Sequence, residues 1–414
     1  MKIIQITASY KPAYIYGGPI QSVGKLCEAL NRFAIISSEN PGDELQAQGK
    51  ECKLNIEVLT TTANGGEELD VQTEHPILVD GVQVTYFKRW TKDHSHFSPG
   101  LLSHLRNEIL RYKHNDKPII HIHAWWNLVS VLSCFIAKWY KVPIVLSPRG
   151  MLTAYSQNNR NSFSKKLLHT LIGKRLLKHC HIHATSEQEK KDIERIVSPQ
   201  SITVIPNLVG FEYQESGSMY QEAVSAYQER EVPFRLIFLS RIEEKKGLEL
   251  LFDALAQLEI NWQLTIAGLG NDEYVKRLKD KAESLQVNTR INWIGQVNND
   301  EKYRLMAQHD LLILTSYNEN FANVVIESLS VGTPVLISDQ VGLSDYVKEK
   351  DFGWVTVLNK DNISKEIIRA ADDRPKRNRI RESGPARIRM DYSDEVLVER
   401  YVEMYQSVID GHST

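Results

Sequence analysis

Short, wholly apolar runs alternate along this chain with longer stretches whose apolar residues recur every three or four positions. Lys2–Thr7 (KIIQIT) reads as a buried strand and is followed by a loop at Gly17-Gly18-Pro19. A helix is expected from Pro19 through SVGKLCEAL, because proline lacks the N–H that the first helical position leaves unpaired. Further strands are predicted at Ile56–Thr60, Val82–Phe87, Ile119–Ile122, Ile144–Ser147 and His181–Ala184. Such strands, separated by helical segments, indicate βαβ units in a parallel sheet. The polar, aperiodic stretch Ser38–Lys53 reads as a surface insertion.

The first series ends near Ile202–Pro206 (ITVIP). Gly210–Pro233, rich in Glu, Gln and Ser, reads as an interdomain connection with a surface helix. A second series opens at Phe234 with RLIFLS and continues through QLTIAG, INWIG, DLLILTS and TPVLIS. The expected fold class is therefore α/β, with two doubly wound, Rossmann-like parallel-sheet domains over residues 1–206 and 207–394. A last helix, Val396–Ile409 within about 395–414, follows the completed second sheet and is expected to pack back on the first domain.

Composition narrows the field. The 414 residues include 50 Lys+Arg against 52 Asp+Glu, so no global field draws the chain to nucleic acid, and any anion site must be local. Cys27, Cys52, Cys134 and Cys180 form no Cys-x-x-Cys pair, which favours a reducing cytoplasm over a disulfide framework or a zinc cluster. The amino-terminal run reads as a strand and not a signal peptide, and no run of about 18 apolar residues spans a bilayer.

Chemistry concentrates where strands give way to loops. In Asp310–Gly332 a strand ends near Ser316, a polar loop carries Glu319, and a helix is expected from near Phe321, with Glu327 on it. The amides of Phe321, Ala322 and Asn323 would then be the open donors of a helix start, suited to phosphate or sugar hydroxyls. Taken alone, Glu319 and Glu327 read equally well as loop and surface-helix residues. In Phe234–Leu251 a strand delivers Arg241 to the sheet's carboxyl edge, and Lys246 falls at the next helix start. A planar fork and a point charge beside a helix terminus make a diphosphate clamp, although both could simply pair with Glu243 and Glu244. Gly17-Gly18 and Ser147–Met151 (SPRGM, with Arg149 and Gly150) place glycines at strand ends, where a backbone can approach a ligand or merely turn tightly.

His121-x-His123 and His181-x-His183 have no carboxylate or cysteine close in sequence to complete a metal set. His123, at a strand end, reads as a polar cleft residue and the other three as structural. No Asp-x-Asp pair occurs, so Arg241 and Lys246 are expected to carry leaving-group charge without a metal. Gly268-Leu269-Gly270 resembles half of a dinucleotide fingerprint, but Glu273 stands at its third glycine position.

The spacing Glu319-x7-Glu327, flanked by Asn320-Phe321 and Gly332-Thr333-Pro334-Val335, joins Arg241…Lys246-Gly247 and Gly17-Gly18 in a specific set. Together these motifs resemble the retaining nucleotide-sugar glycosyltransferases of family 4 (glycosyl transferases group 1), which have the GT-B fold of two domains facing across a cleft. The likeness runs through Ile205-Pro206-Asn207 to the final helix. It implies that Arg241 and Lys246 neutralise a donor diphosphate near Gly17, Gly18 and Gly150, and that Glu327 holds the ribose. Glu319 with Asn320, Phe321, Ala322 and Asn323 would hold the transferred sugar, His123 would approach it from the other domain, and Gly295–Val297 would border the base. No cofactor or metal is implied. The donor is a substrate, UDP-glucose first among UDP-sugars and GDP-mannose next, and the acceptor a saccharide or lipid-linked saccharide of cell-surface polysaccharide synthesis. Leu208-Val209-Gly210 and Ala322 depart from the family's usual Gly-Val-Asp and glycine. The alternatives are a GT-B-type nucleotide-sugar epimerase and a two-lobed binding protein without chemistry.

Phe163–Cys180 carries a basic face and an apolar face. Most such helices pack on their own sheet; the pattern also suits peripheral contact with an anionic membrane beside a lipid-linked acceptor, on the inner face.

Overall fold

The computed structural model describes residues 1–39, 54–112, 117–153, 173–210 and 233–412. Most of the polar insertion, the connection after Gly210 and residues 163–172 of the amphipathic stretch lie outside the described residues. The chain divides into two compact units: Met1–Leu208 together with Ser393–Thr414, and Val209–Tyr392.

The first unit is built on an eight-stranded sheet of β1 (Lys2–Ile6), β2 (Asn55–Thr61), β3 (Pro76–Val79), β4 (Val82–Phe87), β5 (Ile119–His123), β6 (Ile144–Ser147), β7 (His181–Ala184) and β8 (Ser201–Val204). Their spatial order is β8-β7-β6-β5-β1-β2-β4-β3, all parallel except the edge strand β3. Ile3, Ile4 and Ile6 of β1 are buried on both faces, as a strand covered by helices on each side requires. The second unit holds β9 (Phe234–Leu239), β10 (Trp262–Ala267), β11 (Ile291–Gly295), β12 (Leu311–Leu314), β13 (Val335–Ser338) and β14 (Gly353–Thr356), in the order β11-β10-β9-β12-β13-β14.

In both sheets the chain builds outward from its first strand in one direction, then returns to that strand's other flank. The reversal falls between β1 and β5 in one unit and between β9 and β12 in the other. Loops leaving the carboxyl ends of such a pair diverge to opposite faces and open a crevice, where doubly wound sheets take their ligands.

The C-terminal helix, Asp394–His412, belongs to the first unit although the whole second sheet precedes it. Leu397, Tyr401, Met404, Tyr405 and Val408 fall on one stripe and are all buried. The helix packs beside the helix Gly18–Glu39, where Arg32 Nη2 reaches Asp394 Oδ2 at 2.9 Å, and Tyr401 and Tyr405 of the stripe reach His183 and Gln5 of the sheet.

Candidate active site

In the second unit, Arg241 and Lys246 leave the end of β9 and Glu319 leaves the end of β12, on either side of the reversal. The β9 loop is pressed onto its neighbours by glycines. Gly268 has φ +147°, and a Cβ there would lie 1.9 Å from the Ser240 carbonyl oxygen. One at Gly270 would lie 2.4 Å from that of Ile242. The Gly-Leu-Gly turn therefore lets two backbones touch, and Ile242 N donates to Leu269 O at 2.7 Å. Gly247, at φ +70°, starts the helix Leu248–Leu255 directly against β12's end, where a Cβ would stand 2.2 Å from Thr315 O. Tyr317 N donates to Lys245 O (2.8 Å), closing the seam.

This seam brings Lys246 Nζ to 2.5 Å from Glu319 Oε2. Lys246 is buried, and desolvation pulls its pKa below the ordinary lysine value while Glu319 holds it up in part. Glu319 is itself fixed by backbone pairing beyond β13: its N–H donates to Gln340 O (3.1 Å) and its carbonyl accepts from Gly342 N (2.8 Å). Arg241 differs, being about half exposed (52%) and paired with Glu243 at 2.7 Å.

The helix after Glu319 begins at Asn323, not near Phe321. Ala322 takes φ +68°, ψ 74°, a left-handed conformation that cannot continue a helix, and serves as the N-cap. Glycine adopts that conformation freely, which is the physical cost of alanine at this position. Phe321 is buried edge-on against Tyr392, ring centroids 6.2 Å apart, so its side chain packs the unit. Asn320 and Asn323 flank this turn. Glu327 is not a surface residue: it is buried and accepts from Lys302 Nζ at 2.9 Å. Gly295, at φ +73°, ends the edge strand β11 and accepts from Gly268 N (2.7 Å), with Val297 half-buried beyond it.

In the first unit, Gly17 (φ +69°) turns the chain into the helix Gly18–Glu39 after β1. An added Cβ at Gly18 would meet nothing within 4 Å, so packing does not explain its glycine. His123 ends β5 on the other side of the reversal. It is buried, not an open cleft residue. Its Nε2 lies 2.7 Å from Gln5 Oε1 and its Nδ1 accepts from Arg149. Gly150, next to Arg149, donates its N–H to Glu189 Oε1 (2.7 Å).

These contacts belong to a hydrogen-bond relay whose proton positions are fixed by its ends. Arg149 only donates and the Gln5 amide oxygen only accepts, so His123 carries its hydrogen on Nε2. Gln5 Nε2 donates to the Tyr405 hydroxyl (3.2 Å), which donates to His121 Nδ1 (2.7 Å). His121 Nε2 donates to Ser147 Oγ (2.7 Å), which donates to His183 Nδ1 (2.6 Å), and His183 Nε2 ends on the Ile205 carbonyl (2.7 Å). Burial holds all three histidines neutral: His121 and His123 titrate well below the ordinary value, and His183 is pushed down to about 3. His181 lies outside the relay, with Nδ1 2.8 Å from Ser201 Oγ. The sequence pattern marked His121 and His183 as structural but gave no sign of Tyr405 or Arg149 as partners in the relay.

The sequence matches the family model "Glycosyl transferases group 1" over residues 219–387 and "Glycosyltransferase Family 4" over residues 43–212. An uncharacterized glycosyltransferase of Methanocaldococcus jannaschii is 26% identical over 235 residues, 56% of this chain and 57% of that protein. The lipopolysaccharide 1,2-N-acetylglucosaminetransferase of Salmonella typhimurium is 28% identical over 189 residues, 42% of this chain and 49% of that protein. The chain thus spans about half the length of these curated relatives. Among solved structures, sucrose-phosphate synthase from Thermosynechococcus elongatus superposes with a TM-score of 0.73 at 17% identity, covering 99% of each chain. Anabaena HepE, in complex with UDP and glucose, does so with a TM-score of 0.68 at 18% identity, covering 98% of this chain and 100% of that one. Two doubly wound sheets of GT-B architecture, matched by both family models along most of their length, make the chain a member of the glycosyl transferases group 1 family of glycosyltransferases.

Proposed function

We propose that the protein transfers a hexose, with retention of anomeric configuration and without a metal, from a nucleotide sugar to a saccharide or lipid-linked saccharide acceptor of cell-surface polysaccharide synthesis. A UDP-sugar is the proposed donor, UDP-glucose first. The observation that carries this reading is a buried lysine beside a carboxylate at the carboxyl edge where the second sheet reverses. The names of relatives support it: HepE is a complex with UDP and glucose, and the Salmonella relative acts in lipopolysaccharide synthesis.

Lys246 offers three N–H donors and gives one to Glu319, leaving two for phosphate oxygens. Arg241, at the open rim, adds a bidentate fork. As the glycosidic bond breaks, negative charge grows on the departing diphosphate. A fixed, buried cation such as Lys246 stabilises that charge without reorganising, which is the largest catalytic effect this site can supply. Glu319 and the turn Asn320–Asn323 would orient the sugar hydroxyls. Glu327, with one oxygen on Lys302, would use the other on the ribose, and Gly295–Val297 would border the base. On the first unit, Gly17, Gly18 and Gly150 would admit the substrate backbone-close. His123, neutral and held at both ring nitrogens, would act as a fixed polar partner, not a proton shuttle. Cytoplasmic location and peripheral contact of 163–180 with an anionic membrane complete the proposal.

The test is product analysis. Incubation with isotopically labelled UDP-glucose and a panel of saccharide and lipid-linked acceptors should yield a glycoside whose NMR coupling reports the donor's α configuration. Epimerised donor, or an inverted β-linked product, would overturn the reading.

A further inference from the structure

The helix Leu128–Trp139, between β5 and β6, is apolar toward solvent as well as toward the sheet. Val129, Cys134 and Ala137 are buried on its inner side. Leu128, Leu132, Phe135 and Trp139 recur every three or four positions and form a second stripe on the opposite side. Phe135 is 47% exposed and Trp139 72%, with ring centroids 6.1 Å apart, and the two leucines are half-buried. A surface helix ordinarily turns charged residues outward, and the one charge on this helix is Lys138. Helices apolar all round belong inside a protein or against lipid. Its 12 residues fall short of the roughly 20 that cross a bilayer, so any contact with lipid runs along the surface.

Charge supplies a second, independent observation. In sequence, Lys117–Ser186 contains ten Lys and Arg and no Asp or Glu, although the chain as a whole has a formal net charge of −2. Several of these cations gather where the helix ends. Lys138 lies on its last turn and Lys141 just beyond, and Lys117 Nζ donates to the carbonyls of Tyr140 (2.6 Å) and Lys141 (3.2 Å). Arg106, on the neighbouring helix Pro99–Arg111, donates from Nε to Tyr140 Oη (2.9 Å). Glu108 of that helix is buried and already paired with Arg111. The positive field acts locally: burial and then Lys141 lower the pKa of Lys117, and burial and then Lys138 lower that of His179.

A cluster of cations attracts any polyanion, but a nucleic-acid backbone offers nothing to a stripe of Leu, Phe and Trp. An anionic phospholipid surface offers phosphates to the cations and acyl chains to the stripe, and a tryptophan at that boundary buries its ring while its N–H stays at the wet level. We propose that the outer face of Leu128–Trp139 docks on an anionic phospholipid membrane, with Phe135 and Trp139 entering the headgroup boundary and Lys138, Lys141 and Arg106 meeting the phosphates. The inference rests on the membrane contact proposed above, which it assigns to this helix and not to 163–180. It is independent of the donor site and of the reaction.

The test is flotation of the full chain with vesicles of equal parts phosphatidylglycerol and phosphatidylcholine, against vesicles of phosphatidylcholine alone. Wild type should float with the anionic vesicles and far less with the neutral ones. The double variant Phe135→Ser, Trp139→Ser should bind the anionic vesicles about tenfold more weakly or worse, and both rings are exposed, so their removal leaves the core intact. Lys138→Gln with Lys141→Gln should weaken binding to the anionic vesicles and leave neutral binding as it is. Leu78→Ser, at an apolar side chain 75% exposed on the edge strand β3, is the control and should float like wild type. Wild type that stays at the bottom of the gradient, or an aromatic double variant that floats like wild type, overturns the proposal. Flotation lost in Lys165→Gln with Lys166→Gln but kept in the aromatic variant returns the contact to 163–180. Dimers that the aromatic substitutions dissociate, or retention on duplex DNA, in a protein that does not float, give the face to a second copy or to nucleic acid and overturn it equally.

Discussion

Single residues decide whether the second unit's seam can close. At Gly268 an added methyl would meet the Ser240 carbonyl at 1.9 Å in a backbone conformation that side chains rarely adopt. Gly268→Ala should therefore cost about 2–3 kcal/mol or more, read as a lower urea midpoint. An unchanged midpoint would mean that the two loops do not touch as described. Ala322 carries the opposite opportunity. Its left-handed φ costs about 1–2 kcal/mol, and glycine would remove that while giving back about 0.5–1 kcal/mol of chain entropy. Ala322→Gly should be neutral to slightly stabilising, and a marked loss of stability would contradict its φ of +68°. The sequence made both positions visible only as oddities: Gly268-Leu269-Gly270 resembled part of a nucleotide motif, and Ala322 stood where the family usually has glycine. The steric reason at Gly268 lies in the Ser240 carbonyl of a neighbouring segment, which the local sequence does not contain.

At the scale of elements, the central strands were legible because β5, β6, β12 and β13 are buried on both faces, and an uninterrupted apolar run is the direct signature of that environment. The start of the helix after Glu319 was not, since a backbone dihedral at Ala322 sets it and alanine is a good helix former. Nor was the histidine relay, whose members come from β1, β5, β6, β7 and the C-terminal helix. Tyr405→Phe should leave His121 Nδ1 and Gln5 Nε2 short of a buried partner and destabilise the first unit by about 1–3 kcal/mol; a midpoint equal to wild type would sink the relay. The relay also predicts a pH dependence. An unfolded histidine binds a proton near 6.5, whereas His183 in the fold does so only at about 3 and His121 and His123 also titrate well below 6.5. The unfolded chain therefore binds more protons in that window, so the stabilisation is complete above about pH 6.5 and is lost as pH falls toward 3. Each such histidine contributes up to about 1.4 kcal/mol per pH unit. Denaturation midpoints measured from pH 7 to pH 4.5 should fall steadily, less steeply in His183→Gln; a flat profile would contradict the buried neutral assignments.

For the whole molecule, the sequence conveyed the number and kind of sheets through the rhythm of its apolar runs, but not the order of their strands. That order matters most for function. It places β12 beside β9, although β10 and β11 intervene in the chain, and so carries Glu319 to Lys246 across 73 residues of sequence. Motif spacing named the participants; the reversal of the sheet explains why they meet. The measurement that tests this claim most directly is calorimetry of UDP binding to the full chain in EDTA, comparing wild type with Lys246→Ala. The account predicts metal-free binding by wild type and at least a tenfold weaker affinity in the variant, about 1.4 kcal/mol or more. Equal affinities, or binding by wild type only after a divalent cation is added, would contradict it.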